Sequence, residues 1–367
     1  MIESTLYLLS QKPEPAPQPI PIKIEGPKVP IYHYLFIEEP EENVEIPRNY
    51  SNTFFETYEY QLRKKKEAII KNLTYSAVAS TNYSLLPELE TRPLIIFTYF
   101  ETPSARKNAV YFIRHGLHGS ADFIFIFNGE TDLYEILPQN ASNIKIIRRN
   151  NTCFDLGSVG EVLRSNNYEL VNKYKRFIIL NASIRGPFIP TWSAGCWSDL
   201  FLNKITNEVK LVGMTHNCYP IRHVQSMIFA TDRIGIEILL AGNTTNFTTY
   251  QNRSGEEYNK DFMVGLSQCF PTKNRAIIGE ISLTHLIKRS AYNYTVMMTA
   301  ASAIPNYFNN CTHIDVNWNG NYFGYNIHPF ETVFTKANRD LDPQMLETLT
   351  DWYDSGGYSS WEACKVK

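Results

Sequence analysis

Asp155 and Gly157 stand together in Asn151-Thr-Cys-Phe-Asp-Leu-Gly-Ser158, directly after an apolar run. A carboxylate at such a helix start can accept hydrogen bonds from a ribose or a base, or cap the helix behind it, and the two roles are compatible. Gly157 would allow close backbone approach. After a further apolar run comes Asn181-Ala-Ser183-Ile-Arg185, where a diphosphate-bound divalent cation would need paired carboxylates. An amide and a hydroxyl are weak ligands for a hard cation. The pattern therefore favours chemistry that requires no cofactor, with cationic side chains in place of the ion, although Mn2+ or Mg2+ remains compatible with it. Arg185 is one such cation, because a guanidinium pairs bidentately with phosphate; a surface ion pair is its ordinary alternative. Lys336 and Arg339, three residues apart after His328-Pro-Phe-Glu331, would face one way on a helix and clamp a diphosphate, or simply face solvent.

Glu280 is the candidate general base. It opens Gly279-Glu-Ile-Ser-Leu-Thr-His-Leu-Ile, whose apolar spacing is helical, and a carboxylate in a first helical turn stays ionised; capping is its other reading. His223 and Gln225 set polar groups at the start of an apolar run, as a second catalytic candidate and a site wall, with Asp232 just beyond. Trp192 and Trp197 precede them, and an indole face there could stack on a sugar ring or be buried in the core.

The elements that must position these residues alternate. Strands are predicted at Pro93–Phe100, carrying Thr98 near its end, and at Phe123–Phe127, Asn143–Ile147 and Phe177–Leu180, with helices at Ser104–His115 and Gly157–Asn166. Runs apolar at every position are buried on both faces, as in a parallel sheet, and an open α/β sheet gathers ligands at the carboxyl ends of its strands. The domain reading is a proline-rich tether over 1–50, a peripheral helical segment over 51–92, a catalytic domain over 93–345 and a C-terminal tail over 346–367.

A net charge of -2 and the lack of a basic stripe exclude a surface built for a nucleic acid polymer. Between Asn49 and Asn310 lie 11 glycosylation sequons, where composition alone predicts roughly four or five. The even number of cysteines, 6, shows no metal spacing and suits up to three disulfides in an oxidising lumen. These features point to the Golgi or endoplasmic reticulum lumen, or to secretion, with the tether following a removed type II membrane anchor. An Asn-rich cytosolic chain with a disordered leader is the alternative.

From Pro93 to Arg339 the chain resembles glycosyltransferases related to the bacterial rhamnan-synthesis F proteins and their fungal and algal relatives. The resemblance lies in Asn151–Gly157, Phe177–Pro187, His223–Met227, Gly279–Thr284 and His328–Glu331. It implies a GT-A-like, Rossmann-like α/β fold: one domain with a mixed, mostly parallel sheet flanked by helices. It further implies a UDP- or GDP-sugar donor, a glycan or glycoprotein acceptor and inversion at the sugar. On this resemblance Asp155 binds the nucleoside, Asn181 to Arg185 lie under the diphosphate and Glu280 is the base. The alternative is a secreted glycan-binding protein on the same scaffold. The bacterial relatives often carry Asn-Asp-Ser where Asn181-Ala-Ser183 stands, and glycine at Cys153.

Overall fold

A computed structural model describes residues 92–364, apart from 220, 243–249, 252–256, 259–263, 312–314, 340–341 and 357. The tether over 1–50 and, except for residue 92, the helical segment over 51–92 lie outside the described residues.

Apolar, β-branched and aromatic runs form the central strands. They are β1 (Leu94–Phe100), β2 (Asp122–Asn128), β3 (Ile144–Arg149) and β4 (Arg176–Asn181). Between them, α1 (Pro103–His115) links β1 to β2 and α2 (Phe154–Lys173) links β3 to β4. Thr102 starts α1 by accepting from the Ala105 N–H, with proline at the first helical position, where its missing N–H costs nothing. The chain continues through β5 (Ile184–Arg185), α3 (Trp197–Leu202), β6 (Val209–Gly213), β7 (His216–Asn217), β8 (His223–Val224), β9 (Ile228–Asp232) and α4 (Arg233–Ala241). Then follow β10 (Tyr250–Gln251), β11 (Glu257–Tyr258), α5 (Lys273–Arg289), β12 (Asn293–Val296), α6 (Thr299–Ala303), α7 (Tyr307–Asn310) and α8 (Pro329–Thr332). The last elements are β13 (Thr335–Lys336), α9 (Pro343–Asp354) and α10 (Ser360–Ala363).

Seven strands form one sheet in the order β12-β6-β9-β4-β1-β2-β3. The β3-β2-β1-β4 half is parallel, β9 runs antiparallel to both β4 and β6, and β12 is parallel to β6. This is a mixed, mostly parallel α/β sheet of the Rossmann-like kind. Strand order reverses beside β1, so the crevice between β1 and β4 is where a ligand site is expected. Buried residues of α2, α4 and α5 pack with Leu94, Ile96, Phe177 and Ile179 on one face of the sheet. On the other face α1 and α3 pack with Ile95, Phe97, Ile178 and Leu180.

The span 346–364 is no tail. Leu346, Leu349 and Tyr353 of α9 pack against Tyr111 and Phe188, and Cys364 is bonded to Cys196. The other two disulfides join Cys153 to Cys269 and Cys218 to Cys311, so all six cysteines pair. Among the described residues no helix is long and apolar enough to cross a membrane.

The segment stapled by Cys269 lies hard against α2. A Cβ built on Gly160 would fall 2.1 Å from the Leu266 carbonyl oxygen, a backbone atom that cannot swing aside. Gly160→Ala is therefore expected to destabilise the fold by about 1–3 kcal/mol, as overpacking does. A calorimetric melt checks it, and an unchanged melting temperature would mean that the segment is not held on α2.

Candidate functional site

The carboxyl ends of β1 and β4 place Thr98 opposite Asn181 in register, and a relay of side chains begins there. The Asn181 amide donates to Asp155, in the first turn of α2, and its carbonyl oxygen accepts from both the amide and the hydroxyl of Ser183. The Ser183 hydroxyl in turn accepts from Nζ of Lys336 at 2.8 Å. β13 delivers that lysine, because Lys336 pairs with Ile184 of β5 next to Ser183. The relay engages both the amide and the carbonyl oxygen of the Asn181 side chain.

Lys336 is a cation set among carboxylates. Burial lowers its pKa, opposed by the charges of Glu280, Asp155 and Asp315 and reinforced by Arg339. Asp155 is shifted upward, first by burial and further by Glu280, against the hydrogen bonds from Asn181 and the Leu156 N–H and the charge of Lys336. A hard divalent cation fits this donor set poorly. The Asn181 oxygen already accepts two hydrogen bonds and the Ser183 oxygen is taken by an ammonium, so an ion would have to displace Lys336.

Glu280 lies across from this relay, but not in a first helical turn. Thr272 caps α5, accepting from Arg275 N–H, and the helix starts at Lys273, leaving Glu280 two turns in, beyond the reach of the helix-end charge. Its Oε1 accepts instead from the Ser226 N–H at 2.8 Å and lies 3.9 Å from Nε2 of His223. His223 is buried, with Nδ1 2.7 Å from the Ile221 carbonyl oxygen. A carbonyl only accepts, so Nδ1 carries the proton and Nε2 is left facing the carboxylate.

Arg339 is the second nearby cation, and it is not on a helix with Lys336. Val333 takes φ 68 after the single turn of α8, and the chain then pairs as β13. The Arg339 Nε is buried without a hydrogen-bond partner, 3.5 Å from an Asp315 oxygen, and the guanidinium lies 5.1 Å from the centre of the Trp318 ring. Gln225 serves this corner from behind. Buried, it donates to Asp315 and accepts from Thr215 and Asn317, which leaves it as support for Asp315 and not as an acceptor wall.

Other expected residues lie apart. Trp197 is fully buried, donating to the Gly116 carbonyl and packed edge-on against Phe112 and Phe334, so its ring is core and offers no sugar platform. Asp232 caps α4 and pairs with Lys210 at 2.5 Å. Because β9 is antiparallel, Asp232 sits beside Arg176, about 17 Å from the Asn181 end of β4. The Gly157 backbone makes its close approach to protein: an added Cβ would meet Cys153 and the Gln268–Cys269 backbone. His328 caps α8 and stacks near Phe330, burial lowering its pKa against the pull of Glu331. Arg185 is buried and tied to Asn108, Glu347 and Thr350. Trp192 is 86% exposed on its loop.

The structure adds residues that the sequence reading passed over. Asp315 is buried yet faces Arg339, and nothing in its neighbourhood of Asn and aromatic residues marks it. Phe100 ends β1 half-exposed, in register with Asn128, whose side-chain oxygen accepts from Arg149 and Ser158. The buried Thr98 hydroxyl on the same strand has no hydrogen-bond partner. An exposed ring at the end of a central strand, two residues past an unpaired hydroxyl, could take a stacked base. In the sequence Phe100 only continues the run of β1, so nothing there marks it as exposed.

No protein-family model matches the chain, and no curated protein matches it. Three solved structures illustrate what it is similar to. A cytidylyltransferase from Leptospira borgpetersenii is 13% identical over 41% of this chain and 63% of that one, with a TM-score of 0.27. The mannosyltransferase PcManGT from Pyrobaculum calidifontis, in complex with GDP-Man and Mn2+, is 13% identical over 47% and 58%, at 0.29. The glycosyltransferase GlyE from Streptococcus pneumoniae is 9% identical over 40% and 36%, at 0.27. The matched region spans less than two thirds of each of those chains. Likeness at this level says nothing about activity, and the fold assignment rests on the strand order itself.

The upward shift of Asp155 has a sign that can be tested. Between its unfolded and folded pKa values the unfolded chain binds fewer protons, so the contribution of Asp155 to stability falls as pH rises through that window. Asp155→Asn removes this dependence. Denaturant midpoints taken from about pH 4 to pH 8 are expected to show the variant gaining on the wild type as pH rises. A difference constant across the range would contradict the upward shift.

Proposed function

We propose that the chain is a glycosyltransferase that moves a sugar from a nucleotide-sugar donor, UDP- or GDP-linked, to a hydroxyl of a glycan or glycoprotein. The observation that carries this reading is Lys336, an ammonium hydrogen-bonded to Ser183 at the β4 end and ringed by Asp155, Glu280 and Asp315. It stands where a diphosphate-bound metal would need paired acids. The nucleoside lies over Phe100, Asn128 and Asp155, and Lys336 meets the diphosphate without a metal.

Glu280 takes the proton of the acceptor hydroxyl, held in orientation by the Ser226 N–H. The oxygen attacks the anomeric carbon opposite the diphosphate, the carbon–oxygen bond to phosphate breaks, and its electron pair leaves with the nucleoside diphosphate. Inversion follows from that single displacement. Lys336, with Arg339 beside it, offsets the charge on the leaving group in a partly buried setting, where a fixed cation acts more strongly than in water. His223 faces Glu280 at 3.9 Å. The three disulfides and the sequon excess support an oxidising compartment, which we assign to the Golgi or endoplasmic reticulum lumen, or to secretion, with a type II anchor.

One nucleoside diphosphate among UDP, GDP and CDP is expected to raise the melting temperature by a few degrees, equally with and without a chelator. A chain that answers to free sugars and to none of the three would be a glycan-binding protein. With the donor so identified, Glu280→Gln is expected to lower transfer by roughly 10²- to 10⁴-fold while the nucleotide-induced shift persists. Transfer at the wild-type rate would remove Glu280 as base.

A further inference from the structure

A cleft of about 310 Å³ opens between the first turns of α1 and α9. Ser104, Lys107, Arg185, Arg339, Pro343 and Glu347 line it. It thus holds three cations against one carboxylate. Burial would raise the pKa of Glu347, yet Arg185 and Lys107 together hold it below the ordinary carboxylate range, so it is a full anion and the cleft retains a net positive charge. α1 starts on Thr102 with no acidic residue in its first turn and adds partial positive charge, whereas the Asp342 carboxylate caps α9 and offsets the charge of that end.

Neither Ser183 nor Lys336 lines the cleft, and it shares no residue with Thr98, Phe100, Asn128 and Asp155. A nucleoside diphosphate running from Asp155 to Lys336 therefore meets the cleft only at Arg339. We propose that the cleft is an oxyanion subsite for a phosphate, sulfate or carboxylate group carried by the acceptor, so that the enzyme prefers an anionic glycan; only the word acceptor rests on the transferase reading. Arg185, fixed by Asn108 and Thr350, supplies a preorganised guanidinium. Lys107, half-exposed and paired only loosely to Glu347 at 3.3 Å, is free to turn to the ligand. Arg339 joins the cleft to the reaction centre, since it also faces Asp315 and shifts Lys336.

The test titrates the full chain by calorimetry with mannose 6-phosphate, glucose 6-sulfate, glucuronic acid and neutral mannose, and separately with UDP and GDP. Two surface variants of opposite charge effect are compared. Lys107→Glu is expected to weaken the anionic sugar that binds by about tenfold, the loss of one charge-assisted contact. Glu347→Gln should tighten the same sugar severalfold, and neutral mannose should not bind the cleft in any form. Nucleoside diphosphate affinity should change less than about twofold in both variants. If Lys107→Glu weakens the nucleotide as much as the sugar, the cleft belongs to the donor and the proposal falls. It falls equally if no anionic sugar binds, or if neither variant alters its affinity. Failure of the transferase reading would show separately, as wild-type protein that binds neither nucleotide.

Discussion

A largely buried ammonium is costly unless opposite charge and hydrogen-bond acceptors surround it, and Lys336 sets that requirement for the whole carboxyl edge of the sheet. Its counter-charges come from three separate parts of the chain: Asp155 at the start of α2, Glu280 within α5, and Asp315 in the loop before α8. None of the three is a sequence neighbour of another, so each depends on the fold being closed around it. The Cys153–Cys269 disulfide joins the turn that carries Asp155 to the segment leading into α5. The Cys218–Cys311 disulfide fixes the chain four residues before Asp315 to the end of the β7 ribbon. Two covalent staples thus fall where the charge arrangement tolerates least drift.

The same requirement shapes the polar contacts behind the site. Asp315 is buried beside Arg339, and its other oxygen is saturated by Gln225 and by the amide and side chain of Asn317. A carboxylate so bound is held in position by its own protein partners. Glu280 is held more lightly, by one N–H from Ser226 and the facing His223, and its side chain is 25% exposed. A supporting acid is best fully hydrogen-bonded, whereas a base must keep a lone pair for the proton it takes. The two carboxylates differ in that respect, which is why the base we propose is Glu280 and not Asp315.

The parallel half of the sheet was legible because β1, β2 and β4 are apolar at consecutive positions, and Asp155 and Asn181 were legible as the polar residues that follow such runs. Their direct contact was not, since 26 residues separate them and only the parallel pairing of β1 and β4 fixes the geometry. Glu280 was identified with the wrong local setting. The first turns of α5, Lys273-Asn-Arg-Ala, lack the apolar spacing that reveals a helix, so its start was placed at Gly279. Asp232 was misplaced because a residue pattern does not show that β9 runs antiparallel and ends at the far edge. Trp192 in its loop and Trp197 at the start of α3 are five residues apart and of one type, and only packing separates the buried ring from the exposed one.

Charge is divided across this edge rather than mixed. Asp155 and Glu280 come from the face covered by α2 and α5, while Lys107, Arg185 and Glu347 belong to the face covered by α1 and α9, with Lys336 and Arg339 between them. A carboxylate that takes a proton must present an uncommitted lone pair to it. A leaving diphosphate needs cations that are already in place when its charge develops. On the proposed mechanism Lys336 is shared by both demands, surrounded by acids and meeting the diphosphate. Moving that ammonium by one residue along β13 would turn it to the opposite face of the ribbon, so the pairing of Lys336 with Ile184 is the register on which both halves depend.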